Sequence, residues 1–297
     1  NALIELMEKD PRICVIDADL AKPNGTFPLY EKFQDRCFNA GISEANMASV
    51  AAGLSAYGMI PFIVTFTPFA SRRICDQIAV SIAYAKQKVI IVGTDPGITA
   101  ELNGGTHMSF EDVAIMRAIP DMVIYDACDV NQFAQAFKEL VNLDKNVYIR
   151  LPRKFQTEVF GEDYKYIYGK ADVLKEGKDV TIVATGLLVA PALEAAEILK
   201  ADGIDARVIN IHTIKPIDVE ILKKAAEKTE KAEEEPETAA EGEEAEETLG
   251  NGINNINVST GSGAGASNVG VAGSVAIVVV NMGYEAELPV GVTANGG

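Results

Sequence analysis

Residues 44–66 read EANMASVAAGLSAYGMIPFIVTF. Apolar side chains recur at helical spacing over 44–57, whereas 62–66 is a short run of β-branched and aromatic residues, which is typical of a buried strand. The same alternation is repeated up to about Arg150, and it is the pattern of a parallel sheet whose crossover helices cover both faces. The fold class is therefore predicted to be α/β.

Two units of this kind follow each other along the chain. In the first, we predict strands at 13–17, 62–66, 89–93, 122–125 and 147–150 and helices at 44–57, 71–84, 111–117 and 131–141. In the second, we predict strands at 180–185 and 206–211 and helices at 190–200 and 217–228. An irregular stretch with Pro152, Gly161 and Gly169 lies between them. We predict two domains, each a mainly parallel sheet flanked by helices, at 1–155 and 171–297, joined by a linker at 156–170.

Length and composition exclude several classes of protein. The 297 residues, 48% of them apolar, are enough for two buried cores. A net charge of −17 argues against a nucleic-acid partner, because phosphate backbones need Lys and Arg to replace their counterions. The apolar runs are shorter than the ~20 residues that span a bilayer, so no membrane segment is predicted. The four cysteines lack the spacing of metal ligands and the chain opens at Asn1 without a hydrophobic signal core, so we expect reduced thiols in a cytoplasmic protein.

The composition changes after Lys228. Between Glu230 and Glu247 there are ten Glu and one Lys, which carry −9 of the net charge of −17, and we treat 230–250 as an acidic insert. The following stretch, 251–270, consists largely of Asn, Gly, Ser, Ala, Ile and Val, a composition that rarely specifies a packed core. The sequence after Lys228 is therefore an uncertain guide, and we assign no function to residues beyond it.

Glu44 lies in the motif GISEANM at 41–47. Taken alone, Ser43 could cap a helix and Glu44 could complement the helix dipole. The motif resembles the Gly-Ile-x-Glu-x-Asn-Met of transketolases, whose Glu shares a proton with the aminopyrimidine ring of thiamine diphosphate. Further similarities to this family are DADL at 17–20, TFTPF at 65–69, GGTH at 104–107, RAIP at 117–120 and TIKPID at 213–218. The chain thus resembles the pyrimidine-binding and C-terminal half of a split transketolase, which transfers a two-carbon ketol unit from a ketose to an aldose.

The resemblance implies a thiamine diphosphate site in the first domain. It makes Glu44 the residue that activates the cofactor, and it implies that Phe66 and Phe69 pack around the pyrimidine ring. For these two aromatic residues the alternative is an ordinary place in the core. Asp19, within the DADL match, is expected on the cofactor side. Many transketolases carry Tyr where this chain has Arg72, so the chain departs from the family at that wall of the ring site, and Arg72 is counted among the residues expected to bind the cofactor.

The two histidines and the arginines Arg150 and Arg153 are candidates for substrate binding or for structural roles. The resemblance makes His107 a donor to the substrate oxygen, and the alternative is a loop histidine bonded to backbone. His212 follows a predicted buried strand, where we favour a structural role. Arg150 is similar to the family arginine that binds sugar phosphate, which suits the guanidinium fork. Arg153 could equally be a solvated linker charge.

Three positions depart from the family pattern in ways that bear on substrate. Asp95 falls where many transketolases carry a phosphate-contacting His, and a carboxylate there would repel phosphate. Asn103 stands where an Asp commonly reads the stereochemistry of a sugar hydroxyl, and Pro23 lies close to a common phosphate-contacting Ser. The alternative is that Arg150 alone supplies enough phosphate contact. We hypothesise that the substrate is a less phosphorylated or otherwise unusual sugar.

A partner subunit is implied by what the sequence lacks. Transketolases hold the diphosphate through Mg²⁺ at a Gly-Asp-Gly motif, which does not occur here, so no metal ligand is assigned to this chain. An N-terminal subunit is expected to supply the motif, with two copies of each chain in an α2β2 assembly. The alternatives are the beta subunit of a 2-oxo acid dehydrogenase, a deoxyxylulose phosphate synthase-like enzyme, and a non-catalytic scaffold. The GGTH and RAIP segments argue against the first, the fused layout of the second argues against it, and Glu44 with His107 argues against the third.

Overall fold

The computed structural model describes residues 2–153 and 157–230. The acidic segment beyond Glu230 and the stretch 251–270 lie outside the described residues. The described residues form an α/β fold of two sheets, which confirms the predicted fold class.

Seven strands form the larger sheet, in the order β10-β5-β6-β4-β3-β1-β2. They are β1 Ile13–Asp17, β2 Cys37–Asn39, β3 Ile60–Phe66, β4 Ile90–Thr94, β5 Val123–Asp126, β6 Val147–Leu151 and β10 Thr213–Lys215. The first six are parallel, and β10 pairs antiparallel with β5. Five of these strands were predicted within two residues at each end. β2 and β10 were missed because three-residue strands are too short to show a periodic pattern.

Helices cover both faces of this sheet. They are α1 Ala2–Lys9, α2 Phe27–Lys32, α3 Glu44–Ala56, α4 Thr67–Ala70, α5 Cys75–Gln77, α6 Asp112–Ala118 and α7 Val130–Leu140. The single helix predicted at 71–84 is instead a 3₁₀ turn Arg72–Ile74, the short α5 and a π-helix Ile78–Tyr84. Ile74, Ile78 and Ile82 are fully buried on the inner side of this segment. The apolar spacing therefore predicted the buried positions correctly, although the backbone hydrogen bonds are not those of one continuous α-helix.

The smaller sheet has three strands in the order β7-β9-β8. They are β7 Asp172–Lys175, β8 Val180–Ala184 and β9 Ala206–Asn210, with helices α8 Val189–Ala201 and α9 Val219–Glu230. β8 and β9 are parallel, and β7 joins β9 antiparallel.

The segment between the two sheets packs on the larger one. Tyr166 is buried in the core that packs against the larger sheet, and its hydroxyl lies 3.1 Å from Oγ1 of Thr213, the first residue of β10. All four cysteines are free thiols. In the part of the chain that the structure describes, no helix is both long and apolar enough to cross a membrane.

Candidate active site

The carboxyl edge of the larger sheet gathers the residues that the sequence singled out. Phe66 ends β3, Phe69 lies in α4, and Glu44 is the first residue of α3, which follows β2. The loop after β4 carries Asp95 and His107. Parallel strands end at the same edge of a sheet, which is where α/β proteins bind ligands.

Phe66, Phe69 and His107 form a ring cluster. The centroids of Phe66 and Phe69 are 6.0 Å apart with an edge-to-face angle of 75°. The imidazole of His107 lies 5.4 Å from Phe66 and 5.2 Å from Phe69, again edge to face. The two phenyl rings are buried and the imidazole is partly exposed, so the cluster lines the site with one polar ring at its open side.

Glu44 is buried beside this cluster and is paired with a cation. Its side chain is 5% exposed, and Oε1 accepts a 2.6 Å hydrogen bond from Arg73 Nη1. The guanidinium carbon of Arg73 lies 3.8 Å from the centroid of Phe69. Ser43 does not cap α3 with its side chain, because its hydroxyl donates to the carbonyl of Ala40 at 2.6 Å. Glu44 thus faces a planar guanidinium group that lies over the Phe69 ring.

Arg72 points to the loop that carries His107. Its Nη2 donates to the carbonyl of Thr106 at 3.2 Å, and its Nη1 donates to Glu111 Oε1 at 2.8 Å. Thr106 Oγ1 lies 2.9 Å from His107 Nδ1, so the same loop orients the imidazole. Gly104 takes a φ of +76°, which favours glycine, and its carbonyl accepts from the His107 N–H. Arg72, expected among the cofactor-binding residues, is therefore a clamp on the histidine loop instead.

Asp95 is buried and holds Arg153. Its Oδ2 accepts from Arg153 Nε at 2.7 Å and from Nη2, and its Oδ1 accepts from the Arg153 N–H at 3.1 Å. Arg153 Nη1 also donates to the carbonyl of Pro23 at 3.2 Å, and its guanidinium carbon lies 4.7 Å from the centroid of Phe66. Arg153 is therefore not a solvated linker charge: it borders the ring cluster, and Asp95 compensates its charge.

Arg150 lies in a buried network. Its Nε donates to Asp112 Oδ2 at 2.8 Å and its Nη1 donates to Asp126 Oδ2 at 2.6 Å, with the side chain 15% exposed. Burial by itself lowers the pKa of Arg150, but the attraction of Asp126 and Asp112 outweighs it and the pKa is raised. Burial raises the pKa of Asp126, which the charge of Arg150 opposes. Two carboxylates thus already occupy the guanidinium that was expected to bind phosphate.

The second domain contacts this network through a glycine. Thr185 Oγ1 donates to Asp126 Oδ2 at 3.4 Å, and Gly186 follows with a φ of +55°. A Cβ on Gly186 would lie 2.6 Å from the Asp126 carboxylate oxygens, so only glycine allows the approach.

Asp19 and Asn103 lie at the same edge but take no part in the ring contacts. Asp19 is exposed after β1, with a φ of +63°, and its carboxylate accepts from Asn39 Nδ2 at 3.2 Å. Asn103 is exposed at the end of a 3₁₀ turn on the histidine loop, four residues before His107. His212, in contrast, is fully buried, and burial lowers its pKa to about 4; Nδ1 lies 2.8 Å from Thr213 Oγ1, consistent with a structural role.

The residues present fit the pyrimidine half of thiamine diphosphate. A planar group that donates an N–H to Glu44 and lies against Phe69 is already accommodated, in the form of the Arg73 guanidinium. An aminopyrimidine offers a similar flat π-face to Phe69, and its ring nitrogen accepts a proton from the Glu44 carboxyl. For the metal, no group of three or more His, Cys, Asp or Glu in 2–153 and 157–230 could hold an ion.

Sequence reasoning missed Arg73 and left Arg153 undecided. Both side chains are long, and their partners Glu44 and Asp95 lie 29 and 58 residues away along the chain. The available signal was the pair Arg72–Arg73 directly after an aromatic motif, which indicates positive charge near a π-face.

Comparisons with known proteins cover both parts of the chain. The family model for the transketolase pyrimidine binding domain matches residues 1–156, and that for the transketolase C-terminal domain matches 169–274. The chain is 50% identical to the 6-deoxy-6-sulfo-D-fructose transketolase subunit SqwH of Clostridium sp. (strain MSTE9), over 77% of this chain and 71% of that protein. It is 35% identical to one of the subunits of apulose-4-phosphate transketolase from Phocaeicola vulgatus, over 77% and 74%. A solved split gene transketolase, described as an inactive beta4 tetramer, superposes with a TM-score of 0.70 at 45% identity, covering 77% of this chain and 74% of that one.

Proposed function

Because the chain belongs to the transketolase family, we propose that it is the pyrimidine-binding subunit of a two-chain, thiamine diphosphate-dependent ketol transferase. The observation that carries the proposal is the buried Glu44 carboxylate next to the ring cluster, with one oxygen presented to a planar N–H donor. A binding or scaffold protein has no need of a buried carboxylate aimed at a displaceable group, since burying such a charge costs stability.

Each residue of the site has a proposed part. Glu44 holds a proton shared with the aminopyrimidine, and Phe69 lies against the ring. His107 donates from its imidazole to the substrate oxygen, because Thr106 occupies Nδ1 and no described residue is hydrogen-bonded to Nε2. When bound, thiamine diphosphate supplies the carbon that takes up the two-carbon unit.

We propose that a second chain holds the diphosphate and Mg²⁺. The sequence has no Gly-Asp-Gly motif, and the relatives at 50% and 35% identity are each described as one subunit of a transketolase. We propose an α2β2 assembly in which each coenzyme lies between one copy of each chain. The isolated chain is expected to bind thiamine diphosphate weakly, because it offers a pyrimidine site without a diphosphate site.

The substrate proposal rests on charge. Arg150 is compensated by two carboxylates and Arg153 by one, so neither offers the uncompensated positive charge that a phosphate dianion requires. A sulfonate carries a single negative charge, so it needs less positive charge from the site than a phosphate dianion does. Together with the 50% identity to a sulfofructose transketolase subunit, this supports a ketose that ends in a sulfonate. The departures at Asp95, Asn103 and Pro23 led only to the broader hypothesis of a less phosphorylated or otherwise unusual sugar, and a sulfonated ketose is one member of that class.

Reconstitution tests both levels of the proposal. The chain is combined with the product of a gene that encodes the Gly-Asp-Gly half, and kcat/KM is compared for 6-deoxy-6-sulfofructose, xylulose 5-phosphate, unphosphorylated ketoses and hydroxypyruvate. We expect ketol transfer only when both chains and thiamine diphosphate are present, with sulfofructose preferred. A preference for xylulose 5-phosphate by several orders of magnitude would remove the substrate proposal and return the enzyme to pentose phosphate metabolism. Tight Mg²⁺-dependent coenzyme binding by this chain alone would contradict the split.

A further inference from the structure

Among the described residues, the groups that hold Arg73 in the site are those that a coenzyme ring would use. Its Nη1 donates to Glu44 Oε1 at 2.6 Å and its guanidinium carbon lies 3.8 Å from the centre of Phe69. The structure gives it no other hydrogen bond to a described residue. Its neighbour Arg72 turns the other way and is fixed by Glu111 and the Thr106 carbonyl. The two adjacent arginines therefore have different anchors.

We propose that Arg73 determines the affinity of this site for the coenzyme, because its guanidinium occupies the place of the aminopyrimidine ring and has to leave when the ring enters. The inference rests on the function proposed above and adds to it a residue of this chain. Both groups are planar, but the guanidinium donates an N–H to Glu44, whereas the ring nitrogen of the aminopyrimidine accepts a proton that the Glu44 carboxyl carries. They cannot share one face of Phe69 and one oxygen of Glu44.

The exchange balances when Glu44 takes up one proton from solvent as the Arg73 cation leaves, because the neutral ring that replaces the cation accepts a hydrogen bond from the carboxyl. A carboxylate that is 5% exposed is costly without a partner, and Arg73 supplies that partner in the free chain. Arg73 itself is 45% exposed, so its charge returns to water with little rearrangement when the ring replaces it. The ring, in turn, must displace an existing ion pair and a cation–π contact before it gains its own.

This competition has a consequence for assembly. Any energy used to displace Arg73 is subtracted from the affinity of the pyrimidine half alone. Contacts to the diphosphate, made elsewhere, then decide whether the coenzyme stays. The same cost applies in the assembled enzyme, but only there do the diphosphate contacts offset it, so the single subunit is left with weak binding.

The test uses the full chain and a probe that needs no diphosphate site, 4-amino-5-hydroxymethyl-2-methylpyrimidine. Its Kd is measured by calorimetry or ligand-observed NMR for wild type, Arg73→Ala and Glu44→Gln. We expect Arg73→Ala to bind the probe at least fivefold more tightly than wild type, and Arg73→Ala combined with Glu44→Gln to lose that gain. Arg12→Ala removes an exposed arginine that is paired with Asp10 outside the site, so it is the matched control and should leave Kd unchanged.

The outcomes separate the inference from the proposed function. Equal or weaker binding by Arg73→Ala, with binding still dependent on Glu44, would overturn the role of Arg73 and leave the pyrimidine site intact. Absence of Glu44-dependent binding in every variant would overturn both. If circular dichroism shows that Arg73→Ala is unfolded, Arg73→Gln keeps an amide donor for Glu44, and a gain of the same sign is required of it.

Discussion

Two arginine–carboxylate arrangements in the first domain have opposite characters. Arg150 is 15% exposed and is bonded to two buried carboxylates, Asp112 and Asp126. Arg73 is 45% exposed and is bonded to one, Glu44. The first arrangement lies between strands and helices of the core, whereas the second stands at the open edge of the sheet beside the ring cluster.

The difference separates framework from site. The three charges of the first arrangement hold a fixed geometry inside the protein, because removal of the arginine leaves two buried carboxylates without a cation. A single pair with one partner in water can be opened by a ligand that replaces the exposed member. The degree of pairing, rather than the residue type, therefore indicates which arginine serves structure and which serves binding.

Removal of Glu44 should have the largest effect. In the assembled enzyme, we expect Glu44→Ala to lower kcat by roughly 10²–10⁴-fold, because the aminopyrimidine loses its proton partner. Circular dichroism should show an unchanged fold, and Glu31→Gln, at an exposed position in α2, should keep normal turnover. Near-normal turnover of Glu44→Ala at saturating coenzyme would make Glu44 a helix-terminus residue.

Removal of Arg150 should break the framework. We expect Arg150→Met to lower the free energy of unfolding by about 3–5 kcal/mol, because Asp112 and Asp126 remain buried without their cation. Urea unfolding measures the change, and Arg12→Met, at an exposed pair, should leave the midpoint almost unaltered. Equal midpoints for the two variants would show that the network is not a framework.

The same variant has a pH signature. The folded-state pKa of Asp126 is already raised by burial, and removal of Arg150 takes away the charge that opposes this rise. A carboxyl whose folded pKa is raised binds its proton more tightly in the folded state, so stability is lost as pH rises through that pKa. The deficit of Arg150→Met should therefore be larger at pH 7.5 than at pH 5. A deficit that is independent of pH would exclude an unpaired Asp126 as its cause.

Arg72 is an intermediate case, with two partners and a side chain that is 43% exposed. We expect Arg72→Met to lower kcat/KM by about 10–100-fold, because the loop that carries His107 loses its clamp. The Kd for thiamine diphosphate in the assembled enzyme should stay the same, since the described hydrogen bonds of Arg72 go to the histidine loop and Glu111 rather than to the ring cluster. An equal loss of coenzyme affinity would make Arg72 the cofactor-binding residue that the sequence predicted. Arg72→Lys should restore only part of the activity.

The sequence predicted the longer strands and helices, and it placed the candidate site residues near the carboxyl ends of the parallel strands. β1 was predicted to the residue, because its apolar run begins after Arg12 and ends at Asp17. The aromatic residues Phe66 and Phe69 were likewise predicted at the end of β3 and just beyond it. The pairing of Arg73 with Glu44 could not be predicted, because a long side chain can choose among several carboxylates. Nor could the neutralisation of Arg150, since Asp112 and Asp126 approach it only through the fold. β10 pairs with a strand about ninety residues earlier, beyond any local pattern.

The position of β10 in the larger sheet limits where a gene that encodes both domains can be split. β10 belongs by position to the second half of the chain, yet it completes the sheet of the first, and Lys215 Nζ donates to the carbonyls of Arg117 and Ile119. A recombination breakpoint between the two domains would take an edge strand away from the first sheet and leave β5 open to pairing with other chains. The two domains are thus expected to be inherited together through gene fission and fusion, with viable breakpoints on either side of the pair rather than between its members.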